Sequence, residues 1–166
     1  MIDKLKEDIS TWILDWVSVH NDKLGTVPCP FAKQALLNNK IDYATVQDIV
    51  SLESLIKLYA MSGLSSEVLI IGMDRAAISA ENLTSFTEYV NNNVLMPVGL
   101  VALEDHPNDE ESINGVKMNQ GEWALLLIQS IDKINQASLI LQKQGYYTNW
   151  TKEAYDDVVS WRFLKE

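Results

Sequence analysis

One stretch limits what this chain can become: "EVLIIGM", residues 67 to 73. Val68, Leu69, Ile70 and Ile71 follow one another without a polar break. A strand of that kind has no face to offer water and must be covered on both sides. The flanking segments supply the cover. "DIVSLESLIKLYAMSG" reads as a helix closed by Gly63, and "SAENLTSFTEYVNNNVL" as a helix with Ser79 as its cap. "IDYATV" before them and "PVGLVALED" after them read as further strands.

The ends of the chain read as helical. Ile9, Trp12, Ile13, Trp16 and Val17 follow the i, i+3, i+4, i+7, i+8 spacing of one buried stripe, which His20 continues. From about Gly121 a long helix is expected, its inner seam made by Trp123, Leu127, Ser130, Ile131, Ile134, Ser138 and Leu141. "TKEAYDDVVSWRFL" adds a shorter terminal helix. Strands alternating with helices favour an α/β fold with a small, mainly parallel sheet of about three or four strands covered by helices. An N-terminal amphipathic helix and a long C-terminal helix complete it. The alternative is a split arrangement with all helices on one face. With 166 residues, the expectation is a single domain over 1–166.

Charge excludes one class of partner. The formal net charge is −10, the only arginines are Arg75 and Arg162, and the lysines are scattered. Nucleic-acid binding needs a basic stripe to displace counterions, and none is present. No run of about 18 apolar residues would cross a membrane. A lone cysteine forms no internal disulfide, which fits the reducing cytoplasm. The expected partner is a small molecule or a protein.

That cysteine, Cys29, sits in "VPCPFAK" between Pro28 and Pro30. Just before or at the first turn of a helix, a thiol feels unpaired N–H groups that favour thiolate, and the prolines would aim it. It is equally a small apolar residue that packs. The second motif is "LEDHP", residues 103 to 107, where an apolar strand runs out into a long polar loop ending at Gln120. Ligands gather at the carboxyl ends of strands in open α/β sheets.

Three functions stand open on these residues. In the first, a small cytoplasmic enzyme uses Cys29 as thiolate, His106 as base, and Glu104 or Asp105 to orient the imidazole. Lys33, Lys117 and Asn119 would then meet the substrate, with the polar loop as a lid. In the second, the protein is a non-catalytic ligand- or protein-binding domain in which Cys29 is structural. In the third, His20, Cys29 and His106 hold a divalent metal as cofactor, with one carboxylate completing a tetrahedral set. The glycines form no phosphate-binding loop. The five tryptophans fall largely at helical spacing and read as core.

"CPFAKQALLNNKIDY" resembles the Cys-Pro-aromatic opening of glutaredoxin-like and glutathione transferase-like proteins, with Ala32 where a dithiol member has its second thiol. That resemblance implies a nucleophilic cysteine starting a helix that leads into a strand. A strand directly before the cysteine belongs to that pattern, and here a helix and a Gly/Pro loop stand instead. Cys29 to Ala32, "VLIIGM" and "DHP" at 105 to 107 are together similar to a bacterial family of unknown function. This second resemblance implies a shared fold and a pairing of the two motifs, and no reaction.

Overall fold

The computed structural model describes residues 1–119 and 121–163. Its centre is a four-stranded sheet in the order β1–β2–β6–β3. β1 (Ile41–Thr45) runs parallel to β2 (Val68–Asp74). β6 (Trp123–Ser130) lies between β2 and β3 (Leu100–Asp105) and is antiparallel to both. The α/β class holds, but the sheet is mixed, not mainly parallel.

β6 accounts for the difference. "WALLLIQS" is a strand, and the long helix expected from Gly121 is instead α5 (Ile131–Lys143) preceded by that strand. Ala124, Leu126 and Ile128 face one side while Leu125 and Leu127 face the other. An uninterrupted apolar run satisfies a helical seam and a doubly buried strand alike. Ser130 marks the boundary: it ends β6 and its hydroxyl caps α5 through the N–H of Lys133.

Helices cover both faces. On one face Leu69, Ile71 and Met73 of β2 pack with Leu52 and Ile56 of α3 (Ile49–Ser62) and Leu83, Phe86 and Val90 of α4 (Ala80–Val90). Asp48 and Ser79 cap these two helices by accepting from Ser51 and Asn82 N–H groups. On the other face Ile70 and Leu125 meet Leu5, Ile9 and Ile13 of the first helix, α1 (Ile2–Trp12) with its extension. α2 (Ala32–Leu37) lies beside it, contributing Ala32 and Leu36.

Two helices end in wider turns. After α1, residues Ile13–Val17 form a π-helical turn, with Ser18 N–H donating to Ile13 C=O at 2.9 Å. The chain then turns away, so His20 leaves the buried stripe it continues in sequence and is exposed. After α4, a π turn over Asn91–Leu95 brings the Asn91 amide onto β3. There its oxygen accepts from Ala102 N–H at 2.7 Å and its nitrogen donates to Ala102 C=O at 2.9 Å.

The polar loop is not featureless. β4 (Ser112–Ile113) and β5 (Val116–Lys117) form a ribbon across Asn114 and Gly115, both at positive φ. Asn-Gly between short strands is the residue pair that such a tight turn requires. Ile113 and Val116 pack with Leu24 in a small cluster that Trp16 and Trp150 join. α6 (Lys152–Val158) and a 3₁₀ turn at Ser160–Arg162 follow α5, while Gln120 and Leu164 of the sequence expectation lie outside the described residues. No helix among the described residues is long and apolar enough to cross a membrane.

α1 sits where it does because of Gly72. A β-carbon at Gly72 would stand 2.6 Å from Leu5 Cδ1. Gly72→Ala is therefore expected to lower stability by roughly 1–3 kcal/mol, the usual cost of overpacking a filled core. Chemical denaturation measures this, and an unchanged midpoint and slope would contradict the packing.

Candidate functional site

Cys29 lies just before α2, not in its first turn. Its N–H donates to Val17 C=O at 3.0 Å, and α2 begins three residues later at Ala32 and runs six residues. Burial pushes its thiol up, and the Phe31 and Ala32 N–H groups pull it down by less. Its charged or polar neighbours are Tyr146 and Tyr147, not histidine. The Tyr146 hydroxyl donates to the backbone carbonyls of Val27 (2.8 Å) and Pro28 (2.5 Å), clamping the loop on which the cysteine sits.

His106 is elsewhere and occupied. Only 1% of it is exposed. Nε2 faces the carbonyls of Ile78 (2.9 Å) and Arg75 (3.2 Å), and Nδ1 lies 3.1 Å from Asn108 N–H. With Nε2 protonated, every one of these is satisfied by a neutral ring. Ile78 belongs to the α3/α4 core, whereas Cys29 leads into α2 on the opposite face. The proposed Cys29–His106 pair is thus not what the fold builds: both imidazole nitrogens hold backbone. His20 is exposed, 3.5 Å from Asp22 Oδ1. Among the described residues no three histidine, cysteine or acidic side chains are grouped to hold a metal, so His20, Cys29 and His106 do not form the tetrahedral set.

Glu104 and Asp105 alternate across the sheet. Glu104 lies beside Thr84 of α4, and burial raises its carboxyl. Asp105, 8% exposed, has one oxygen enclosed without a hydrogen-bond partner among the described residues. Its other oxygen is near Gly121, where a β-carbon would stand 3.9 Å away. Burial first, then repulsion from Glu111, Asp109 and Glu104, pushes Asp105 up to about 7. Glu111 is raised as well, again chiefly by burial. Around this acidic end the loop is tied by its own bonds. Lys117 Nζ donates to Pro107 C=O at 2.9 Å, and Asn119, buried, donates to Asp109 C=O at 3.4 Å. Lys33 is exposed on α2, apart from both.

A different feature has the shape of a binding site. Between α1 and the start of β6 runs a groove of about 400 Å³, within the size range of ligand sites. Trp12, Trp16 and Trp123 line it. Glu7, Asp8, Asp15 and Glu122 add four carboxylates, and Gly121 forms part of the wall. The Trp123 indole N–H donates to Asp8 Oδ2 at 2.8 Å, joining strand to helix. Asp8 is held below the ordinary carboxylate range by the Lys4 ammonium and then by that indole. The π turn over Ile13–Val17 carries Asp15 and Trp16, and such turns recur at functional sites. In sequence these tryptophans read as core because their spacing is helical. The available signal was their alternation with Asp8 and Asp15 on the same turns.

Comparison of the chain with protein-family models, curated proteins and solved structures finds no match in any of the three. The functional reading therefore rests on geometry.

The Asp105 carboxyl gives a pH test. Its folded value, about 7, exceeds its ordinary 3.8. Between these values the unfolded chain has released a proton that the folded chain keeps, so stability falls as pH rises through that window and levels off above it. One such group contributes at most about 1.4 kcal/mol per pH unit. Asp105→Asn is expected to flatten the pH 4–7 slope of folding free energy. Parallel curves for the two proteins would show that Asp105 is ionised throughout.

Proposed function

We propose that this protein is a non-catalytic binding domain of the cytoplasm, taking a small ligand or a partner protein, in which Cys29 packs and does not react. The observation that carries the reading is the setting of the half-buried thiol: its loop is clamped by the Tyr146 hydroxyl, and burial of the sulfur, outweighing the two N–H groups near it, works against thiolate. The engagement of both His106 nitrogens by backbone adds to this, since a general base needs a free lone pair facing its nucleophile. The α1/β6 groove is the place for the ligand.

The test is alkylation of the native protein across pH with a small, neutral reagent. Cys29 is expected to react more slowly than a free thiol, with a midpoint above the ordinary 9.0, and to speed up when denaturant is added. Rapid modification well below pH 8 would overturn the reading and restore a thiolate enzyme.

A further inference from the structure

We propose that the groove between α1 and β6 binds an arginine-bearing segment of a partner protein, an inference that rests on the binding-domain reading above. The lining holds three tryptophans and four carboxylates, and no lysine or arginine. Indole faces are the strongest aromatic partners for a cation, and carboxylates at the rim supply the opposite charge. A guanidinium uses both surfaces at once: it stacks flat on a ring and forks two N–H groups onto a carboxylate. An ammonium is more strongly hydrated and gives only a point charge.

The cations already present show how the carboxylates are approached. Lys4 reaches Asp8 at 2.7 Å and Arg75 reaches Glu122 at 3.2 Å, both from outside the groove. The Arg75–Glu122 pair is exposed on both sides and Lys4 is exposed in the other, so neither cation is held tightly against exchange. Glu7 and Asp15, the other two acids of the groove, lie in no ion pair among the described residues.

The distribution of charge selects a peptide over a single small ion. Asp8 and Asp15 are seven residues apart on one helix, about 10 Å along its axis. Two arginines separated by two residues in a polyproline II segment lie on the same side of it and span a similar length, about 9 Å. The indole N–H groups of Trp12 and Trp16 are enclosed and have no acceptor among the described residues. A small rotation of either half-buried ring turns its N–H toward the carbonyls of a bound backbone, which a free amine does not provide.

The deciding experiment titrates the full chain with a capped peptide carrying two arginines separated by two residues, following tryptophan fluorescence and indole N–H resonances. Saturable binding is expected to weaken with added salt and to vanish when both arginines are replaced by norleucine. Asp15→Asn combined with Glu122→Gln, both exposed positions, is expected to weaken binding about fivefold to tenfold. Glu53→Gln, on α3, serves as the unaffected control. Absence of binding, or equal binding of the norleucine peptide, overturns the proposal. Spermidine competing as well as the peptide would make a free polyamine the ligand and overturn the protein partner. Cys29 alkylation on the same sample separates the two readings: a reactive thiol refutes the non-catalytic assignment whatever the peptide does, and an inert thiol without peptide binding refutes only the groove.

Discussion

The close approach of Leu5 to Gly72 is the contact from which much of the molecule follows. With no β-carbon at Gly72, α1 settles directly onto the centre of β2. Ile9 and Ile13 then reach Ile70 and Leu125, and that half of the core closes. The same placement sets Asp8 against the Trp123 indole, which fixes the helix to the first residue of β6. Farther along, Val17 at the end of the π turn accepts from Cys29 N–H. The cysteine loop is therefore positioned by the helix before it, not by the helix after it. The thiol still meets the Phe31 and Ala32 N–H groups at the start of α2, but burial outweighs them.

Two neighbouring residues at the end of β3 show opposite solutions to burying a titratable group. His106 is almost wholly enclosed, yet each ring nitrogen meets a backbone partner, and neutrality costs little. Asp105 has an enclosed oxygen with no donor among the described residues, and three acidic neighbours. Burial and those neighbours push its carboxyl up to about 7. The first arrangement serves architecture: it ties the end of β3 to the loop after β2. The second leaves the acidic end of the sheet responsive to its surroundings.

Sequence showed the helices and strands whose patterns admit one reading. β1, β2, α3, α4 and β3 lie where hydrophobic pattern, Ser79 and Gly63 put them. β6 did not, because Trp123 to Gln129 is apolar at almost every position and so fits either period; the tightly similar run at β2 was the better guide. The ribbon at Asn114–Gly115 was legible from its Asn-Gly pair and hidden inside a polar stretch. The site was harder. Spacing brought Cys29 and His106 to attention, but whether two segments converge depends on which sheet face each reaches, and a mixed sheet assigns those faces differently from a parallel one. The tryptophans of the groove were visible as residues. Their partial exposure follows from the π turn and from Trp123 opening β6, neither of which periodicity reveals.

The Asn91 amide has a consequence for how the sheet meets other chains. β3 and β1 are its outer strands, and an outer strand presents backbone donors and acceptors that another strand can pair with. By gripping both Ala102 N–H and Ala102 C=O, Asn91 occupies the middle of one border with a side chain that imitates a neighbouring backbone. Growth of the sheet by strand addition is blocked on that side. The opposite border of the sheet is β1, which pairs through its backbone with β2 on its inner side.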